Sequence, residues 1–183
     1  VTFSMVQTGT EGAAEYDTYT WNIDTNTITK NLAYPSLDAD IFQPTSEIVM
    51  SLPDERLPNQ SDNFTFFQTN SLHVFDPSTG ARFPFYNAAD LFLYAPHFIQ
   101  NGELILVNGT DPNGTTGQWT VIGRDGGVVG ALPASTTIND VAGVGDGFLY
   151  TTDTFTPGAT TLVYVNTRDG LDAGVPIWQS EAD

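Results

Sequence analysis

An all-β fold is predicted for these 183 residues by three observations. Short runs rich in Val, Ile, Thr, Phe, Tyr and Trp alternate with Gly, Pro, Asn and Asp, the punctuation of strands and tight turns. No window sustains an apolar stripe at i, i+3, i+4, i+7, and Pro or Gly interrupts nearly every candidate helix. Thirdly, "DADIF" at 38–42 returns as "AADLF" at 88–92, and "INDVA" at 138–142 puts Asp140 where Asp40 and Asp90 stood. Acids recurring at one fixed interval mark a repeat architecture.

The elements follow in order. "VTFSMVQ" (1–7) is a strand, and "TYTWNIDTNTITKNL" (18–32) is a hairpin turning at Asp24–Asn26. Asp40-Ile41-Phe42 leads the next strand, with "NFTFFQT" (63–69) expected as its successor and "SLPDERLPNQSD" (51–62) as a solvated acidic loop between them. "SLHVFDPSTGARFPF" (71–85) is a second hairpin, turning over Asp76–Gly80. Pro77 presets φ at the start of that turn, and Gly80 accepts a positive φ at its end. Asp90-Leu91-Phe92, "ELILVNG" (103–109) and "QWTVIGRDGGVVGAL" (118–132), turning at Asp125–Gly127, repeat the order. "DPNGTTG" (111–117) shares Asp, Asn and Gly with calcium loops but lacks the closing acid, and reads as a flexible connection. Asp140-Val141-Ala142, "GFLYTTD" (147–153) and "TLVYVNTRDGLDAGVPIW" (161–178), turning at Asp169–Gly170, complete the series. Each unit is an Asp-led strand, a second strand and a hairpin.

This unit resembles a β-propeller blade of the broad kelch or WD40 type. The resemblance covers the whole chain and rests on spacing and strand order. Kelch-type paired glycines are absent: Asn108-Gly109 and Thr152-Asp153 stand in their place. No Gly-His or Trp-Asp pair marks a blade. The resemblance implies a propeller-like array of about four four-stranded blades in one all-β domain over 1–183, with repeat units near 1–37, 38–87, 88–137 and 138–183. A β-sandwich or jelly roll is the alternative architecture. Val1 follows no Met or leader, and the first unit opens on a second strand. The chain is therefore expected to be a segment of a longer one, or a protomer whose incomplete terminal blade is filled by a neighbour's strand.

Composition bounds the partners. Five basic residues against 22 acids give a formal charge of −17, which repels phosphate backbones and anionic lipid surfaces. Nucleic acid and membrane insertion are excluded on this reading, and no apolar run approaches the roughly 18 residues of a spanning helix. Without cysteine there is no disulfide, thiolate zinc site or cysteine nucleophile. Four Asn-x-Ser/Thr sequons begin at Asn59, Asn63, Asn108 and Asn113, where composition alone gives about two. Their placement in polar, turn-rich stretches predicts a secreted, glycosylated, extracellular protein. An acidic protein of salt-rich surroundings would share this composition.

Asp40, Asp90 and Asp140 are the candidate ligand-binding residues. At the starts of innermost blade strands they would face one mouth of a central channel, where carboxylates bind Ca²⁺ through oxygen or a sugar through hydrogen bonds. The five-bladed furanosidase-type glycosidases resemble this layout, which implies catalytic acids at such positions. Glycoside hydrolysis needs two carboxyls about 5–10 Å apart with unequal pKa values, and no acid can be assigned from sequence. Capping of the loop that enters each strand is the structural alternative. His73 and His97 lack metal-ligand spacing, and the Gly-x-Ser-x-Gly elbow is missing. Trp21, Trp119 and Trp178 fall in outer hairpins and are expected to pack in the core. The sequence thus points to a non-catalytic binding or assembly module of the cell surface or extracellular matrix. It requires no cofactor, and Ca²⁺, polysaccharide or another protein chain is its expected partner. A glycosidase-like or lyase-like propeller enzyme is the alternative.

Overall fold

The computed structural model of the chain describes residues 2–8, 14–32, 39–52, 69–111, 117–153 and 159–180. These residues form fifteen strands and one short 3₁₀ turn at Gln100–Gly102, with no α-helix among them. Sheet I holds β1 (Thr2–Thr8), β2 (Ala14–Asn22) and β3 (Thr27–Leu32). Sheet II holds β4 (Ala39–Phe42), β5 (Glu47–Leu52), β6 (Ser71–Asp76) and β7 (Ala81–Asn87). Sheet III holds β8 (Phe92–Ile99), β9 (Leu104–Thr110), β10 (Gly117–Gly123) and β11 (Val128–Ala131). Sheet IV holds β12 (Asp140–Val144), β13 (Gly147–Asp153), β14 (Thr160–Asn166) and β15 (Val175–Gln179). In every sheet the strands lie in chain order, so each is a meander and no described strand crosses to another sheet. That is the repeating unit of the propeller-like class, and it differs from the Greek-key exchange between sheets that a sandwich requires.

The turns form where local chemistry demands them. Asn22, Asp76 and Asn166 each end the third strand of a unit or its equivalent, and each side chain accepts the backbone N–H two residues on, from Asp24, Ser78 and Arg168 at 3.0, 2.8 and 3.0 Å. These are Asx turns, in which a short polar side chain substitutes for a ladder partner. Hydrogen bonds from the Ser78 hydroxyl, then its N–H, then the Thr79 hydroxyl hold the Asp76 carboxyl below the usual carboxylate range. In sheet III the same work falls to Asp125, whose Oδ1 accepts from Gly127 N at 2.9 Å, while Gly126 takes the positive φ of 82°. The β14–β15 connection departs from the expected two-residue Asp169–Gly170 hairpin. It runs over residues 167–174, with one turn closed by Asp169 N to Asn166 O and a second by Ala173 N to Gly170 O. A two-residue type I′ turn needs positive φ at both central positions, and only Gly170 adopts it.

The second strand of sheet II also corrects the sequence reading. It is β5, "EIVMSL", joined to β4 by a tight turn at Gln43–Ser46, with Ser46 at φ 61°. Ser51 and Leu52, expected in a solvated loop, are buried at the end of this strand. The predicted strand at 63–69 lies outside the described residues except for Thr69, which is not in a strand. Since β5 is buried at every position from Ile48 to Leu52, it shows no polar–apolar alternation.

The chain divides into two compact units. In the first, Val1–Pro96 with Gly109–Thr116, one face of sheet II packs Ile48, Met50, Leu52 and Phe75 against Ala39 and Ile41. Each such buried side chain contributes about 1.5–3 kcal/mol. His73 is buried there, its Nε2 3.0 Å from the Ser71 hydroxyl, a core histidine rather than a ligand. In the second unit, His97–Asn108 with Gly117–Asp183, the core includes Ile99, Ile105, Leu106, Val107, Val121 and Ile122. The His97 ring stacks on the buried Trp119 indole, centroids 6.5 Å apart. Trp119 therefore takes the core role expected of it, whereas Trp178 and Trp21 are exposed.

Candidate functional site

The functional question centres on sheet IV, because its two faces differ. Directly opposed residues of antiparallel strands share a face, so the register sorts the side chains. One face carries the rows Gly143–Phe148–Val165 and Val141–Tyr150–Val163–Pro176. Phe148 and Val165 are fully buried and Val163 nearly so. Within the second unit this face is closed by other β structure. Gly143 abuts the backbone of Phe98 and Ile99, and Leu171 reaches Gly130 in β11. The Phe148 and Tyr150 rings lie 6.1 Å apart on it, and burial pushes the Tyr150 hydroxyl pKa up.

The other face carries the rows Ala142–Leu149–Tyr164–Val175 and Asp140–Thr151–Leu162–Trp178. None of these eight residues is buried: Leu149, Thr151, Leu162 and Tyr164 are half-exposed, while Val175 is 56% and Trp178 57% exposed. The middle strands of sheets II and III look different. Ile48, Val49, Met50, Ile105, Leu106 and Val107, which point alternately to both faces, are all buried. The sequence of β14, "TTLVYVN", is apolar on both faces in the same way, yet only one of its faces is covered. An uninterrupted apolar row across four strands, open to water, is the kind of surface that marks an interaction site.

Each residue singled out from sequence has a definite place. Asp40 lies half-buried within β4, and its Oδ1 accepts the N–H of Ile41 at 2.9 Å. Asp90 is exposed in the turn before β8. Asp140 is the first residue of β12, exposed, at one corner of the open face. Among the described residues no group of three or more His, Asp or Glu side chains could hold a metal ion. Asn108 corrects the expectation that its sequon occupies a loop. It lies within β9, its Oδ1 is buried without a hydrogen-bond partner, and the Thr110 hydroxyl of the same sequon is tied to the Tyr94 hydroxyl. Asn59, Asn63 and Asn113 lie outside the described residues.

The open face escaped the sequence reading. Asp140 marked its corner, but which face of a two-sided apolar strand is covered depends on distant residues. One signal was available: "VPIW" in β15 is apolar at every position, although it forms the sheet's last strand.

No family model matches the chain, and no curated protein matches it. Among solved structures it is similar to TolB from Acinetobacter baumannii, a β-propeller protein, with a TM-score of 0.60 and 13% identity. The likeness covers 98% of this chain and 41% of the TolB chain. At this identity the likeness speaks for the fold alone, and with the meander order it makes the chain a member of the propeller-like fold class.

Proposed function

We propose that the chain is a non-catalytic binding or assembly module with propeller-type blades of the broad kelch or WD40 kind, and that the open face of sheet IV is its docking surface. The observation that carries this reading is the contrast between the two faces of one sheet: Phe148 and Val165 fully buried, Val175 and Trp178 more than half exposed. Burying the open face against a protein partner removes apolar area from water at about 25 cal/mol per Å². Four sequons, a single lysine and a charge of −17 support a secreted, glycosylated setting at the cell surface or in the extracellular matrix.

The test is binding of the apolar dye bis-ANS at about 1 µM protein, a concentration at which weak self-association is negligible. The wild-type chain is expected to bind it, and Leu162→Glu or Tyr164→Glu to lower the signal several-fold with the circular dichroism spectrum unchanged. Equal dye binding by folded wild-type and variant chains would contradict the reading.

A further inference from the structure

We infer that the occupant of the open face of sheet IV is a second copy of this chain, docked through the same face to give a two-fold dimer. This inference rests on the docking role proposed above and names the partner.

Charge decides where two copies can meet. Each carries −17, so contact between acid-rich surfaces is repulsive, and association is tolerable only where carboxylates are sparse. The open face is such a place: Asp140, at one corner, is the only charged residue in its two cross-strand rows. The same charge count speaks against a basic partner at this face. Such a partner would be drawn to the acidic surface elsewhere and would gain little from Leu162, Tyr164, Val175 and Trp178.

Shape narrows the occupant further. The edge of β15 is ill suited to adding an extended peptide strand. Pro176 has no N–H to donate, and the register shifts between Leu162 and Val163, leaving Ile177 out of the ladder. Association is thereby directed to the face. A pleated face is complemented by another pleated face about 10 Å away, and every copy of this chain carries one. The opposite side of the same sheet already accepts β structure, since Gly143 lies on the Phe98–Ile99 backbone and Leu171 on Gly130.

Size is adequate for a weak dimer. Four strands spaced by about 4.8 Å, each some 20 Å long, give roughly 400 Å² per partner in flat projection. Side-chain relief brings the total for two partners to about 1,000 Å², the lower end for a specific interface. Because each copy presents the same patch, the contact is isologous and closes at two copies rather than growing into a fibre.

Light scattering on the full 183-residue chain, over about 1–500 µM, tests this. The mass is expected to rise from 19.8 kDa towards twice that value and no further, and added salt is expected to strengthen the dimer by screening the shared charge. Trp178→Glu and Leu162→Glu are expected to weaken association at least tenfold. Phe83→Glu, at an exposed apolar position on β7, is expected to leave it unchanged. A chain that stays monomeric throughout the range overturns the inference. So does a dimer indifferent to both face variants, or one that salt dissociates. If either glutamate variant fails to fold, the salt response and the other variant still decide. A monomer whose bis-ANS binding still depends on Leu162 would reject the second copy as occupant while leaving the docking role standing.

Discussion

Phe148→Ala is expected to cost about 3–5 kcal/mol of folding stability, the largest effect of any single truncation in sheet IV. Phe148 is fully buried in β13, paired with Val165 across the ladder and facing Tyr150 at 6.1 Å on the closed face. Truncation removes a large apolar side chain and leaves a cavity that a two-strand neighbourhood cannot collapse. For a chain of this size the thermal midpoint should fall by on the order of 10 °C. Leu149→Ala, one residue on and pointing to the open face, is expected to cost only about 1 kcal/mol, because that side chain is already half in water. Thermal unfolding of both variants checks the difference. Equal losses would mean that the two faces do not differ in how far they are covered.

The second large effect is expected from Gly143→Ala. A Cβ at this position would collide with the Phe98 carbonyl oxygen and lie 3.2 Å from both Phe98 C and Ile99 Cα. All three obstacles are backbone atoms, so no rotamer change relieves them, and β12 must move away from the strand it rests on. Overpacking of this kind costs about 1–3 kcal/mol and occasionally more, and Gly143 belongs at the top of that range. Gly145, two residues later, is the comparison. It has φ +51°, and a methyl group added there would meet nothing within 4 Å, so alanine at 145 suffers only left-handed backbone strain of about 1–2 kcal/mol. Asparagine, which tolerates that conformation, should recover most of the loss at position 145 and none at 143. Urea midpoints for the four variants check this. Recovery by Asn at 143 would show that conformation, not close approach, selects glycine there.

What the sequence revealed and concealed follows from the range of the interactions involved. The turns after Asn22 and Asp76 were readable because their chemistry lies within two or three residues: an Asx side chain, then Pro or Gly. The Asp40, Asp90 and Asp140 echo was readable because a repeat is a property of the chain itself. β5 was missed because burial of Ile48 through Leu52 on both faces removes the alternation by which a strand is recognised, and the more strand-like "NFTFFQT" drew the assignment. Trp178 was placed in the core because an aromatic in a hairpin usually packs. Its exposure depends on what covers the far side of sheet IV, which no local pattern encodes. Asn108 shows the same limit. Asn-Gly followed by Thr reads as a turn, yet the sequon is paired within β9.

The central claim is that sheet IV is closed on one face and open on the other, and fluorine NMR of the chain labelled with fluorotryptophan tests it most directly. The three tryptophans give three resonances, assigned by single Trp→Phe substitutions. Recorded on the Leu162→Glu variant, so that self-association does not cover the face, the Trp178 resonance is expected to shift on transfer from H₂O to D₂O, as a solvent-exposed indole does. The Trp119 resonance, from a side chain 7% exposed, is expected to stay in place. A Trp178 resonance as insensitive to solvent as that of Trp119 would show that the face is covered within the chain itself, and the account of sheet IV as a docking surface would be contradicted.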